Sequence, residues 1–236
     1  MARIFARLGI ALGRLAGEVW GFAMDPYPLH PYSERGWLLD IGDPAERLAL
    51  FAALETLPPE RLAEFVPGFG NVLLLFVEPV AREEVARWLA RPKAPKLLER
   101  PGQHHRIPVR YDGPDLAEVA RAIGVSVEEV IGLHSGQPYE VMLMGFSPGF
   151  PYLGPLHPRL HLARRESPRA RVTAGAVAIG GCHAGIYPAV SPGGWHLLGT
   201  TDFVLFRPEK AGLAAASARE VFTLAAGDRV SFVPIL

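Results

Sequence analysis

Lysine is nearly missing from this chain: of 24 basic residues, all are arginine except Lys93, Lys96 and Lys210. None of these falls in residues 145–201, and the phosphate-binding pattern G-x-x-x-x-G-K-[ST] is absent throughout. Cysteine occurs once, as Cys182, which excludes an internal disulfide framework and fits a reducing cytoplasm. Net charge is also lacking, with 24 basic and 24 acidic residues, so no overall field recruits nucleic acid or a membrane surface. No apolar run reaches the roughly 18 residues of a membrane span. The chain has 8 histidines but no C-x-x-C or H-E-x-x-H arrangement, and its one H-x-x-x-H spacing, His157 to His161, cannot lie on an ordinary helix, so no metal site is expected. Cys182-His183 and the His157/His161 pair, interrupted by Pro158, read as surface or hydrogen-bonded side chains.

What the chain does have is a globular composition, 49% hydrophobic over 236 residues. That suffices for one large domain or two modest ones. Residues 1–30 read as an N-terminal extension whose first 23 residues form an amphipathic helix. Ile4, Leu8, Leu12, Leu15 and Val19 share one face, and Arg3, Arg7 and Arg14 another. Arg14 and Glu18 interrupt any signal-peptide core. A docking helix, a membrane-surface helix and a start placed upstream of a true Met24 all fit; the last is the reading adopted. Pro26 to Pro31 reads as irregular.

Residues 31–92 then read as a small α+β domain in the order β-α-β-β-α, a split βαβ being one form of it. Its elements are a strand at Trp37–Ile41, a helix at Ala45–Leu57 opened by Asp43-Pro44, strands at Phe65–Val66 and Val72–Val77, and a helix at Ala81–Leu89. Residues 93–104 read as a linker. Residues 105–236 read as a mainly-β domain. His105–Tyr111 is its first strand, two short helices (Pro114–Ile123 and Val127–Leu133) cover a barrel end, and further strands follow at Tyr139–Met144, Val177–Ile179, Trp195–Leu198, Phe203–Phe206 and Arg229–Val233. The helix pair is no DNA reader, because Glu128 and Glu129 stand where arginines would be needed.

Residues 145–201 concentrate glycine, proline and aromatics well beyond what hairpin turns require. They read as rigid binding loops on a β scaffold. Gly145-Phe146-Ser147-Pro148-Gly149 fits the G-x-S-x-G pattern of a nucleophile elbow, but Pro148 has no N–H to offer an oxyanion. Ser147 is therefore a ligand contact or turn residue, not a nucleophile. Backbone N–H groups of Gly180-Gly181 or Gly193-Gly194 could hold an anion. Arg164, Arg165, Arg169 and Arg171 form either a solvated turn face or an anion site. Phe146, Phe150, Tyr152, Tyr187 and Trp195 either wall a pocket or fill the barrel.

These segments, with Pro168-Arg169, Ala174 to Gly181, Gly185-Ile186-Tyr187-Pro188 and Ser191-Pro192-Gly193-Gly194-Trp195, resemble the family of the 5-oxoprolinase B subunit. That family is also called the KipI or allophanate hydrolase subunit 1 family. The resemblance extends from about residue 30 to the end, through Val109 to Leu116 and Gly227-Asp228-Arg229-Val230. Two departures stand out: Thr200 where the family usually has arginine, and Ala176 where serine is common.

The resemblance implies a cyclophilin-like barrel behind the α+β domain. It also implies two partners, a homologous C subunit (KipA-like) and an A subunit (LamB/YcsF-like). Together the three use ATP with Mg²⁺ to open 5-oxo-L-proline to L-glutamate. The chain is then a cytoplasmic component, inactive alone, that supplies half of a site. The residues expected to line it are Phe146, Ser147, Phe150, Arg165, Arg169, Gly180, Gly181, Tyr187, Ser191, Gly193, Gly194 and Trp195. His134 is the acid/base candidate if it faces the barrel mouth. The alternatives are a KipI-like inhibitor of a sensor histidine kinase and a component of an allophanate or urea amidolyase-type enzyme. A stand-alone prolyl isomerase would rest on fold analogy alone.

Overall fold

The computed structural model describes residues 27–90, 102–211 and 217–235. The expected N-terminal helix and most of the linker lie outside the described residues. The chain forms two compact units that part between Leu98 and Glu99.

In the first unit β1 (Leu29–Ser33), β2 (Gly36–Asp40), β3 (Leu62–Pro67) and β4 (Asn71–Phe76) form a sheet in the order β1-β2-β4-β3. All neighbours are antiparallel, so β2 and β3 run the same way with β4 between them, which is a split βαβ. Asp43 starts α1 (Pro44–Thr56): its Oδ1 accepts from the N–H groups of Ala45 and Glu46 at 2.8 and 3.0 Å, and Pro44 occupies the first turn. Strand alternation sends Val72, Leu74 and Phe76 of β4 inward, onto Leu50 and Leu54 of α1 and Val85 and Leu89 of α2 (Arg82–Leu89). Strand β1 corrects the reading of this segment as irregular. It is an edge strand, where a proline such as Pro31 costs no ladder bond.

The second unit is a closed barrel. Its strands are β5 (His104–Arg110), β6 (Tyr139–Met144), β7 (Pro151–Gly154), β9 (Ala176–Gly180), β10 (His183–Ile186), β12 (His196–Thr200) and β13 (Arg229–Ile235), in the order β10-β7-β6-β13-β5-β12-β9. Strand β13 runs parallel to β5, and the other barrel pairs are antiparallel. Two more strands, β8 (Arg169–Val172) and β11 (Ser191–Gly193), pair as a separate ribbon. Helices α3 (Leu116–Ile123) and α4 (Val127–Ser135) pack Leu116, Val119, Ala120 and Val130 into the core formed by Ile107, Leu153, Val177, Ile179, Ile186, Val230 and Phe232. Gly124, at φ +71, ends α3, and the Ser126 hydroxyl caps α4.

The strand expected at Phe203–Phe206 is not formed, and only an isolated bridge joins Phe206 to Phe222. The segment is tied instead to residues 222–223: Leu205 O accepts from Thr223 N, and Val204 O from the Thr223 hydroxyl. A short helix, α5 (Ala218–Val221), leads into β13. Among the described residues no helix is long and apolar enough to cross a membrane.

Candidate functional site: an aromatic face beneath a glycine-rich ribbon

Every residue of β9 is buried, although its side chains point alternately to two faces. Val177 and Ile179 belong to the barrel core. Ala176 and Ala178 face a second apolar cluster made by Phe150, Val172, Tyr187, Trp195 and Leu197. Alanines on that face leave room for large rings. Phe150 is the hub, with the rings of Phe146, Tyr152, Tyr187 and Trp195 at 5.3, 5.2, 5.3 and 5.4 Å, all edge-to-face.

The glycines of this stretch make space for those rings. A β-carbon on Gly180 would lie 2.7 Å from the Trp195 indole, one on Gly185 2.9 Å from Phe150, and one on Gly193 2.2 Å from the Tyr187 hydroxyl. This corrects the anion-nest reading of Gly180-Gly181. Gly180 packs against a ring, and the Gly181 N–H, at the positive-φ turn between β9 and β10, already donates to Leu162 O at 2.8 Å.

Phe150, Tyr187 and Trp195 are 1–5% exposed, so they fill the fold rather than wall an open pocket. Phe146 does the opposite: it is 61% exposed and takes φ +67, a conformation uncommon for a residue with a β-carbon. It sits in the tight β6–β7 turn, where Ser147 N donates to Gly145 O at 2.8 Å and Phe150 N to Ser147 O at 3.0 Å. A strand-to-strand turn is no nucleophile elbow. Ser147 is half-buried within it.

The arginines sit at the ribbon. The Arg164 guanidinium lies 5.8 Å over the Trp195 ring. Arg165 and Arg169 converge on Asp115, whose Oδ1 accepts from Arg169 Nη2 at 2.6 Å and Arg165 Nη1 at 3.2 Å, while Oδ2 accepts from Leu197 N at 2.7 Å. Burial pushes the Asp115 carboxyl up. The Arg169 fork, the Leu197 N–H and the charge of Arg165 outweigh it and hold it below the usual carboxylate range.

In the sequence Asp115 reads as a helix starter only. It stands at the N-cap of α3, yet its side chain makes no capping bond to that helix. Its oxygens are turned to the strand and the arginines, and sequence spacing carries no sign of that. Ser191 lies on β11 with its hydroxyl buried, and Gly194 O accepts from Arg165 N at 2.8 Å.

His134 is the clear departure from expectation. It does not face a barrel mouth: it is 0% exposed, stacked on Phe232 at 4.4 Å, with Nδ1 hydrogen-bonded to the Tyr111 hydroxyl at 2.8 Å. Burial lowers its pKa to about 3. It is neutral and enclosed at neutral pH, which suits a core residue and not an acid/base catalyst. Thr200, at the departure from the family arginine, donates to Asp112 at 3.0 Å. Cys182 is exposed, with Sγ 3.4 Å from His183 Nδ1. Among the described residues no group of three His, Cys, Asp or Glu side chains converges as a metal site.

The profile of the family described as Carboxyltransferase domain, subdomain C and D, matches residues 27–216. The 5-oxoprolinase B subunit of Escherichia coli O157:H7 is 41% identical over 182 residues, 74% of this chain and 78% of that one. Its namesake from Haemophilus influenzae is 36% identical over 215 residues, 86% of this chain and 95% of that one.

The chain belongs to the 5-oxoprolinase B-subunit family.

The solved structure of TTHA0988 superposes with a TM-score of 0.72 at 40% identity over 86% of this chain, which spans 40% of the length of TTHA0988. The urea amidolyase of K. lactis shares the fold alone, at TM-score 0.66 and 18% identity, over 89% of this chain and 15% of that one. The residues 145–195 that build the aromatic face and the ribbon all fall inside the region matched to the family.

Proposed function

We propose that this chain is the B subunit of an ATP-dependent 5-oxoprolinase, acting with homologous C and separate A subunits to open 5-oxo-L-proline to L-glutamate. The observation that carries this reading is the 36% identity to a protein of that name across 95% of its length. A lactam is a stable amide and a poor electrophile. ATP would supply the activation by phosphorylating the amide oxygen; water then adds to that carbon, the ring C–N bond breaks as nitrogen takes a proton, and hydrolysis of the resulting acyl phosphate releases L-glutamate and phosphate. Such chemistry asks the protein for positioning and charge neutralisation more than for a nucleophile.

This chain offers that kind of surface: arginines held on a buried carboxylate, beside aromatic rings locked edge-to-face. His134, enclosed in the core, supplies no base to this face, in keeping with a half-site completed by another polypeptide. Mg²⁺ arriving with ATP is held mainly by phosphate oxygens and water, with one or two carboxylates added. In this reading the barrel is the cyclophilin-like carrier of the half-site, and the complex works in the cytoplasm.

The test is 5-oxoproline-dependent ATP hydrolysis by the chain alone and then with the C and A subunits from the same source. Turnover in the full mixture and none with the chain alone is expected. A stable complex of all three without such turnover overturns the reading.

A further inference from the structure

We propose that Arg165 and Arg169, seated on the buried carboxylate of Asp115, form an oxyanion-binding site for a carboxylate or phosphoryl group, with Asp115 as its positioning residue. The inference rests on the enzymatic reading above for its biological ligand, but not for the binding itself.

Its first support is an imbalance of donors. Asp115 has a 3% exposed side chain and receives both guanidinium groups and the Leu197 N–H. One arginine would neutralise it. The second arrives with help only from Glu118, a half-exposed carboxylate at the rim that shares Arg165 Nη1 at 3.2 Å. Arg165 Nε and Arg169 Nη1 are then left as buried nitrogens with no acceptor. The Ser191 hydroxyl, on the strand paired with that of Arg169, is likewise buried without a partner. Idle buried donors are costly, and each calls for an acceptor such as a bound ion or water.

A second support is rigidity with access. Arg169 lies opposite Gly193 in the ribbon, and Arg165 is tied through its backbone to Gly194. Each guanidinium is fixed from below by Asp115, yet about a quarter of each side chain reaches solvent, 27% for Arg165 and 26% for Arg169. Planar forks held this way meet an incoming oxyanion with little left to order. Arg164 and Arg171 flank the pair and make no ion pair among the described residues; residues 164–171 carry four arginines against Glu166, an excess of one positive charge once Asp115 and Glu118 are counted.

The substrate and the cofactor of the proposed reaction both carry such groups. Calorimetric titration of the full chain at constant ionic strength, with inorganic phosphate in one arm and 5-oxoproline in the other, shows which group the site takes. Saturable binding is expected in at least one arm. Arg169→Gln is expected to weaken it at least tenfold, and Arg169→Lys, which keeps the charge without the fork, several-fold. Asp115→Asn retains an acceptor for Leu197 N but releases the arginines; several-fold weaker binding is expected in the folded protein, together with a lower urea midpoint.

If Asp115→Asn fails to fold, the two Arg169 variants decide, because Asp115 then keeps Arg165 and Leu197. No saturable binding in either arm, or binding unaltered by Arg169→Gln, overturns the site. Binding that behaves as expected while the assembled subunits fail to hydrolyse ATP with 5-oxoproline leaves the site standing and sinks the enzymatic reading. Turnover that survives Arg169→Gln with unchanged KM and kcat sinks the site and leaves the enzyme.

Discussion

Gly180 lies against the indole of Trp195, so closely that a β-carbon on Gly180 would stand 2.7 Å from the ring. The packing of the aromatic face depends on that absent methyl. Gly180→Ala must push Trp195 away from Phe150, and the expected loss is about 1–3 kcal/mol of stability, the range for overpacking a filled core. Gly132 is the control. It lies within α4 with open space where a β-carbon would go, so Gly132→Ala is expected to stabilise by about 0.5–1 kcal/mol. Urea denaturation of both variants checks the pair of signs.

His134 predicts a pH effect on stability and none on catalysis. Its pKa is about 3 in the fold against 6.5 for the exposed group, because burial disfavours the cation. Between those values the unfolded chain binds the extra proton, so this contribution is full above pH 6.5 and is lost as pH falls towards 3. The slope from one group is at most about 1.4 kcal/mol per pH unit. His134→Phe is expected to lose some stability at neutral pH, through the lost bond to the Tyr111 hydroxyl, and to flatten the decline below pH 6.5. Denaturation midpoints at several pH values in both proteins test this.

How far the sequence revealed this molecule varies by element. Helix α1 was legible because Asp43-Pro44 is a local signal, and β4 because Val72, Leu74 and Phe76 alternate. Strand β1 was not: Pro28 and Pro31 argue against a strand, and its place at a sheet edge is a tertiary fact. At the site, the density of glycine and aromatics located the right stretch but misassigned the glycines, since ring packing and anion binding leave the same local signature. The link between Asp115 and Arg169 spans 54 positions, and no periodicity carries it.

Asp228 is the other buried carboxylate with several donors, and it fastens the start of β13. It is 0% exposed and accepts from Arg219, Ala225 N at 2.9 Å, Gln103 N at 2.8 Å and His105 Nε2 at 3.3 Å. Burial raises its pKa, but the Arg219 fork and the two backbone donors more than offset this and bring it below the usual range. Its contribution is therefore complete above the unfolded value near 3.8 and is lost as pH drops through the lower folded value. Asp228→Asn is expected to cost about 2–3 kcal/mol. That is less than a fully enclosed pair, because Arg219 keeps one side in water. The urea midpoint at pH 7 measures it, and wild type and variant should converge in acid.

Phe146 separates function from stability most cleanly. Its ring is largely in solvent, touching Phe150 and Tyr187 from outside at 5.3 and 6.3 Å, and its φ of +67 favours glycine. Phe146→Gly relieves the backbone and gives up modest ring contact, so the two effects oppose and stability should stay within about 1 kcal/mol of wild type. An exposed aromatic held at a strained turn beside the arginine ribbon is what a ligand or partner surface requires, and the fold itself does not need it there. Phe146→Gly is therefore expected to lower turnover of the assembled three-subunit mixture, or the affinity of the chain for its partners, at least tenfold with the fold unchanged. Full activity in that variant would show that the turn keeps its phenylalanine for no role in the assembly.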